Sequence, residues 1–446
     1  MKKTMLLATM LFTMSIFAET ITLDESINFA LQNNKEILAE QNAVQSAEWQ
    51  QKSAITNWIP KASFNTVMVQ IDGETYDSAS EVMEIPVFGF DGMPIGSMPF
   101  SSAAMGGAFY QTTFTNKFSV QQPVFNGGKM ILGYQLAKLA KEQTIYNLQN
   151  KENDIAFQVA SLYLNILKLQ DLQILSEKSM RSSSLHLKQV EEKFSAGLMK
   201  KTDVLQWQVK LQNEKTALQE IENNIVTLIS MWQNLIGKNE LPAKIDVAKL
   251  NIQISAENIE EYLIKVKSQN PILQMLKTTN KMSKTAVKMA KGSFLPSLNL
   301  QFDYQIASAD KIDLKLGNDD DSWNLMAMFS VPIFSGGTNF ANLQSAKYEM
   351  KKAKLLSKSA EENLLIGAES AFRNLQTKVQ MVNDNKVALN FAKENHKIIN
   401  ELFEQGMITN SEILDADTML FGGEMSVVNA YYDCILAEQE IKKYLK

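Results

Sequence analysis

The sequence predicts a mainly α-helical chain that carries a few strands and repeats one helix–strand–strand–helix–helix unit. Three observations lead to this fold class. A motif of Pro, Val or Ile, Phe, a polar residue and Gly-Gly occurs twice. Each copy precedes a long run of helical periodicity and follows stretches in which apolar and polar residues alternate. Self-similarity at a fixed offset reveals the architectural unit of a chain.

The repeat sets the predicted organisation of the chain. The motif reads QQPVFNGGK from residue 121 and SVPIFSGGT from residue 330. Pro123 and Pro332 lie 209 residues apart, and the same offset relates Gly197 to Gly406. The expected order is a signal peptide at 1–18, a first repeat at 19–236, a linker at 237–257 and a second repeat at 258–446.

Each repeat is expected to contain one very long helix between two shorter ones. A helix of about 68 residues would be about 100 Å long. Helices of this length are typical of coiled-coil packing rather than of a compact globule. The predicted helices cover 24–57, 128–195 and 202–236 in the first repeat, and 258–291, 338–404 and 410–444 in the second.

The strands are expected to be amphipathic and of bilayer-crossing length. They cover about 61–71, 112–123, 297–307 and 322–333. From residue 298, Leu, Leu, Phe, Tyr and Ile alternate with mostly polar residues, the pattern of a strand with one face toward lipid. A half-buried sheet in a soluble domain shows the same alternation and stays an alternative.

Strands that cross a membrane require an oligomer of this chain. Open sheet edges are not tolerated in hydrocarbon, so such strands must close into a β-barrel. Four strands are too few for known single-chain barrels, which start at eight. Two, three or four copies would give eight, twelve or sixteen strands.

The two Pro–Gly-Gly motifs are interpreted as junctions between a strand and a long helix. A proline is tolerated where a strand ends because it lacks an N–H group. Paired glycines allow the chain to turn sharply before the helix starts. The predicted junction residues are Pro123, Gly127, Gly128, Pro332, Gly336 and Gly337.

Composition excludes several classes of protein and of site. The net charge of −5 gives no indication of nucleic acid binding. A single cysteine, Cys434, excludes a disulfide framework and a cysteine-rich metal site. The two histidines, His186 and His396, are expected to be exposed helix residues rather than metal ligands. The start, MKK followed by a short apolar run ending near Ala18, is typical of a secretory signal peptide.

The chain resembles the TolC-like outer membrane efflux protein family. The resemblance depends on the duplicated order of elements, on both junction motifs, and on the breaks FSAGLMKKTDVLQ and LFEQGMITNSEILDAD. It implies a homotrimer with a 12-stranded β-barrel that continues into a 12-helix α-barrel tunnel. It also implies that the protein is no enzyme, needs no cofactor, and works with a periplasmic adaptor and an inner-membrane transporter.

The resemblance also implies roles for the two breaks. The first break is similar to an adaptor-docking pattern and the second to a gate segment. The implied docking tips are Gly197, Leu198, Thr202, Gly406 and Met407, and the implied periplasmic gate is Glu412 and Asp415. A basic residue often found two places after the second glycine is replaced by Ile408, so Lys200 or Lys201 would have to form any salt bridge that latches the gate.

The residues themselves leave two interpretations of the acidic pair open. Glu412 and Asp415 are three apart and share a helical face. Three chains would bring six carboxylates together, which raises some pKa values and attracts cations. Alternatively the acids only favour a solvated helix start. Asp203 matches Glu412 in the first repeat, whereas Gln206 matches Asp415 and is neutral.

The sequence therefore predicts an outer-membrane exit duct that conducts its substrate passively. The alternative is a periplasmic coiled-coil protein without a pore. A hydrolase is disfavoured because no Ser/His/Asp or metal-ligating set is evident. Neither the exported substrate nor the class of transporter follows from the residues.

Overall fold

The computed structural model describes residues 20–74, 82–90, 92–101, 111–238, 241–242, 258–309 and 321–445. The predicted signal peptide and most of the predicted linker lie outside these residues. The chain divides into two compact units. The helical unit comprises Met1–Ala47, Lys141–Asn280 and Lys354–Lys446, and the strand-containing unit comprises Glu48–Ala140 and Lys281–Ala353.

Helices dominate the described residues, and the two longest pairs match in length. The helices are α1 Leu23–Asn33, α2 Lys35–Thr56, α3 Lys129–Ser195, α4 Lys201–Ile236, α5 Ile259–Gln269, α6 Pro271–Gly292, α7 Thr338–Glu404 and α8 Asn410–Leu445. The long helices α3 and α7 have 67 residues each, and α4 and α8, which follow them, have 36 each.

The first helix of each predicted repeat is in fact two helices separated by one asparagine. Asn34 ends α1 in an extended conformation, and its side-chain oxygen accepts from the Glu36 amide at 2.9 Å. Asn270 does the same between α5 and α6, accepting from Ile272 at 3.0 Å. Their side-chain amides donate to Leu235 and Tyr444. An asparagine that satisfies backbone groups in this way competes with the helix itself.

The helical unit packs around large buried side chains at the ends of α4 and α8. Trp232 and Ile236 of α4 are fully buried against Tyr163 of α3, whose ring centroid lies 6.0 Å from that of Trp232. The Tyr432 hydroxyl of α8 donates to Asp171 of α3 at 2.7 Å. Burial of large apolar side chains supplies most of the stabilisation of such a bundle.

The described strands are β1 Thr20–Ile21, β2 Lys61–Gln70, β3 Val82–Phe88, β4 Pro94–Ser101, β5 Thr112–Asn126, β6 Leu241–Pro242, β7 Ser297–Ala309 and β8 Asp321–Ser330. The strand-containing unit holds an antiparallel sheet of four of them in the order β2-β5-β7-β8. Within the described residues this sheet is not closed. In the same unit β3 and β4 form a separate hairpin, whereas the short strands β1 and β6 lie in the helical unit and pair in parallel.

The expectation that each junction proline ends a strand is wrong for Pro123. Strand β5 continues to Asn126, and Pro123 lies at a register shift against β7. Its other neighbour, β2, has already ended its pairing at Gln121. A strand paired on one side only, with a bulge, tolerates a proline that has no N–H to donate. Pro332 does lie beyond the end of its strand, since β8 ends at Ser330.

The strand register gives the four-stranded sheet one apolar and one polar face. Tyr304 lies opposite Phe118 and Trp323 in one row. Asp303, in the next row, lies opposite Ser119 and Asn324 and pairs with Lys117 at 3.0 Å. The apolar side chains are largely uncovered: Trp323 is 68% exposed and Phe329 66%.

Candidate functional site

The helical unit contains two turns, at 195–201 and 404–410, that reverse the chain between a long helix and the next one. In the first turn, the Leu198 amide donates to Lys193 and the Gly197 amide to Phe194, both at 2.9 Å. In the second turn, Met407 donates to Leu402 and Gly406 to Phe403. These are the two bonds of a Schellman motif, which ends a helix with a left-handed residue.

Both turns depend on glycine for the same reason. Gly197 has φ +77° and Gly406 φ +74°, a region that side chains disfavour. The predicted tip residues around them are exposed: Leu198 at 76% and Met407 at 69%, with Thr202 also exposed. The two turns therefore present apolar side chains to solvent on rigid backbones.

Glu412, the first acid of the predicted gate, forms hydrogen bonds within its own turn. Glu412 Oε2 accepts from the Thr409 amide at 2.7 Å and from the Thr409 hydroxyl at 2.8 Å. These two bonds lower the pKa of Glu412 below its usual value. Asp203 does the same at the first turn, accepting from the Lys200 amide at 2.9 Å. In the single chain Glu412 is thus a helix-start residue.

The second acid of the pair lies in a groove instead. Asp415 lines a cavity of about 760 Å³ between α4 and α8. The opposite wall carries Thr202, Leu205 and Val209 of α4. The structure therefore separates the two predicted gate acids: Glu412 bonds its own helix start, and Asp415 faces a partly apolar groove.

Beneath the turns, five apolar side chains from all four helices form what we call the tip cluster: Val190, Val204, Trp207, Phe403 and Ile413. Trp207 is fully buried, and its indole N–H donates to Asn410 at 2.7 Å. The Asn410 amide in turn donates to Gln206 at 2.8 Å. The Trp207–Asn410 pair joins α4 to α8, so the two turns are held together by packing and by a buried hydrogen bond.

Directly behind the tip cluster, four side chains from four helices form a second group, which we call the polar node: His186, Lys210, His396 and Asp417. Asp417 Oδ1 lies 2.7 Å from His396 Nε2, and its Oδ2 lies 3.3 Å from Lys210 Nζ and 3.9 Å from His186 Nε2. The Asp417 side chain is only 8% exposed. A buried carboxylate requires such partners, since an unpaired buried charge is costly.

The expectation that both histidines are exposed is wrong. The His186 side chain is 10% exposed and that of His396 23%. His186 stacks on Trp207 of the next helix, α4, with ring centroids 4.8 Å apart. Among the described residues no group of three or more His, Cys, Asp or Glu side chains is arranged to hold a metal ion.

Sequence reasoning missed Asp417, Lys210 and Trp207. A signal for Asp417 was available: it lies one helical turn after Ile413, on the apolar face of α8, where an acid needs a buried partner. The partners could not be found in this way, because they lie on three other helices.

The junction glycines lie in the strand-containing unit and all have positive φ. The values are +67° and +77° for Gly127 and Gly128, and +61° and +82° for Gly336 and Gly337. A Cβ on Gly127 would also clash with the Gly292 carbonyl oxygen, so a side chain there is excluded by space as well. The two junctions therefore share a backbone that only glycine adopts readily.

None of the described helices has an apolar stretch of the length and hydropathy that a membrane span requires.

Comparisons with known proteins give one consistent family. A family model described as outer membrane efflux protein matches residues 26–228 and 263–445. The outer membrane protein TolC of Escherichia coli (strain K12) is 23% identical over 314 residues, which cover 67% of this chain and 62% of TolC. The outer membrane efflux protein BepC of Brucella suis biovar 1 (strain 1330) is 22% identical over 345 residues, covering 77% of this chain and 74% of BepC. The match therefore spans less than two thirds of TolC.

The fold agrees with a solved structure as well. The outer membrane protein VceC of Vibrio cholerae has a TM-score of 0.76 at 14% identity, with 95% of each chain covered. At this identity the likeness concerns the fold alone. The matched stretches of the family model, in contrast, span most of the sequence, and the resemblance noted from the sequence is confirmed. The chain belongs to the outer membrane efflux protein family.

Proposed function

We propose that this protein is the outer-membrane exit duct of a tripartite efflux or type I secretion system, with a long periplasmic extension. It conducts substrate passively from an inner-membrane transporter and a periplasmic adaptor to the exterior. One observation carries the proposal: a sheet with an uncovered apolar face and a polar face, in a chain of this family. Trp323, Leu325 and Phe329 of β8 are all about two-thirds exposed. Such a face is stable against lipid.

The same sheet supports a homotrimer. Its edge strands β2 and β8 have no further strand beside them within the described residues. Unpaired edges are excluded from hydrocarbon. Three copies would contribute twelve strands to one barrel, and their four long helices each would give a twelve-helix tunnel. The matched lengths of the two helix pairs support the predicted repeats at 19–236 and 258–446, separated by the linker at 237–257.

The two turns are proposed as the tips that seat the adaptor. Gly197 and Gly406 hold the backbone in place, while Leu198, Thr202 and Met407 supply the exposed surface. Exposed apolar groups on a rigid backbone suit a protein interface, because little conformational entropy is lost on binding. Glu412 and Asp415 are proposed as the periplasmic gate, since a threefold axis would convert each acid into a ring.

The proposal includes no bond chemistry and no cofactor. The relatives are named as outer membrane and efflux proteins, which supports a channel rather than an enzyme.

The test is to purify the protein from outer membranes in detergent and insert it into planar bilayers. We expect a trimer that resists dissociation until heated and that forms ion-conducting channels. Spin labels at Phe302 and Gln301 should differ in accessibility to a lipid-soluble relaxing agent. A water-soluble protein that inserts no channel would instead support a periplasmic coiled-coil role.

A further inference from the structure

The polar node differs from the rest of the helical unit in what it contains. Elsewhere the helices are joined across the bundle by lysine–carboxylate pairs, such as Lys168 and Lys378 with Asp433. These pairs contain no imidazole. The node instead combines one carboxylate and one ammonium with two imidazoles, the side chains that titrate between about pH 5 and 8.

The charge of the node therefore depends on pH. While both imidazoles are neutral, Asp417 and Lys210 balance each other. His396 Nε2 lies 2.7 Å from Asp417 Oδ1, within hydrogen-bonding distance. Protonation of His186 would add an uncompensated positive charge beside a carboxylate that is 8% exposed. Like charges in a poorly solvated site repel strongly.

Protonation of His186 is disfavoured in the packed state. Burial lowers its pKa; Asp417 of α8 and Gln189 of its own helix oppose this shift, whereas Lys210 of α4 and His396 of α7 add to it. Lys193 of α3 is also nearby, above the ring of Phe403 that His186 contacts edge-on. A base whose pKa is lowered by folding stabilises the packed state above its ordinary pKa of about 6.5, and this stabilisation is lost as the pH falls.

We propose that the polar node is an acid-released lock that holds the hairpin α3–α4 against the hairpin α7–α8 at the tips. At neutral pH the lock is closed and the tip cluster is packed. When acid protonates His186, the node acquires excess positive charge and the two hairpins separate. Only the consequence in the cell rests on the proposed function: in an export duct, separated hairpins would widen the periplasmic end.

The test measures exposure of the tip cluster directly. Cys434 is replaced by alanine, and Ile413→Cys, which is fully buried, serves as the reporter. Its labelling rate by a maleimide in the purified full-length protein is divided by that of Met407→Cys, which is 69% exposed, to remove the pH dependence of the thiol. Below about pH 6.5 the ratio should rise as the pH falls, by at most about tenfold for each pH unit, because opening binds one proton.

Two variants distinguish a pH-sensitive node from a node that contributes only packing and hydrogen bonds, because they change how the labelling ratio depends on pH. His186→Gln keeps a polar side chain of similar length but removes the titration, so the ratio should stay flat. Lys210→Met leaves Asp417 without its ammonium, so protonated imidazole becomes the compensating charge and acid should lower the ratio. Asp433→Asn, at the pair without histidine, should behave like the parent.

The proposal is overturned if the parent ratio does not change with pH, or if His186→Gln keeps the full rise. Bilayer recordings on the same preparations test the proposed duct separately from the proposed lock. Channels without a pH-dependent labelling ratio would refute the lock and leave the duct. A pH-dependent ratio without channels would refute the duct and leave the lock.

Discussion

The two turns at the tips share a backbone but not their surroundings. Residues 193–198 and 402–407 make the same pair of terminal hydrogen bonds, 209 residues apart, with glycine in the same place. Beyond the turn the helices diverge: Trp207 in α4 corresponds to Ala416 in α8, and Gln206 to Asp415. The comparison teaches that the turn is set locally, whereas its surroundings are set by the first two turns of the following helix.

The largest expected effect concerns docking at the first turn. Leu198→Asp adds a charge at an exposed position, so the trimer should assemble as before. The charge would be desolvated in an apolar interface, and adaptor binding should be abolished. Chemical crosslinking in intact cells, followed by purification of the protein, measures this as loss of the adaptor adduct. Leu185→Asp, a similar change at a position that is 60% exposed on α3, should keep the adduct. An undiminished adduct with Leu198→Asp would remove this turn from the docking surface.

The next effect concerns the asymmetry at Trp207. Replacing this fully buried indole by alanine removes packing and leaves Asn410 without its donor. The free energy of local opening at the tips should fall by about 3–5 kcal/mol. Native-state hydrogen exchange of the amides in α4 and α8 measures it. Leu205→Ala, a nearby position that is 48% exposed, should change exchange little. Similar exchange in both variants would mean that Trp207 does not hold the hairpins together.

A smaller effect tests the shared backbone. Gly197→Ala and Gly406→Ala would each force alanine to a positive φ, with no atom within 4 Å of the added Cβ. The cost is therefore conformational alone, about 1–2 kcal/mol, and it should be equal at the two turns. Gly422→Ala, in the interior of α8, should instead stabilise by about 0.5–1 kcal/mol. Hydrogen exchange of each turn measures the first two values, and exchange of the α8 amides around Gly422 measures the third. Clearly unequal costs at the two turns would contradict their equivalence.

These predictions also mark what could be read from the sequence. The glycine turns, the junction motifs and the four strands of the sheet were accessible because each is local: alternation, a fixed offset and a special φ all lie within a few residues. Strand β7 was expected at 297–307 and covers Ser297–Ala309. The breaks at Asn34 and Asn270 were missed because a capping asparagine does not interrupt the apolar periodicity.

The polar node was inaccessible for a different reason. His186 and Asp417 lie 231 residues apart, and the contact depends on how four helices rotate about their axes. The resemblance of the second break to a gate segment pointed to Glu412 and Asp415, which follow the turn directly. The buried acid, Asp417, was two residues further on and on another face of the same helix.

The smallest effect on the structure is expected from replacing the acids Glu412 and Asp415, where the two turns can be compared position by position. Glu412 and Asp203 occupy equivalent positions and both accept from a backbone amide three residues before. The hydrogen bonds from Thr409 lower the pKa of Glu412, so its contribution to stability is present above the usual glutamate pKa and is lost as the pH falls through the lowered value. Asp415 lines the groove, and its counterpart Gln206 carries no charge.

The difference in charge between Asp415 and its counterpart Gln206 predicts how variants of the proposed gate behave. Glu412→Gln with Asp415→Asn should assemble normally but weaken cation selectivity and abolish block by divalent cations in planar bilayers, because carboxylate rings in a narrow passage favour cations. Of the two single changes, Asp415→Asn should account for most of the loss, since Glu412 is held by Thr409. Asp203→Asn, the matched change at the other turn, should leave selectivity unaltered. If the double variant retains the selectivity and block of the parent, the constriction lies elsewhere and the two acids serve only to start a helix.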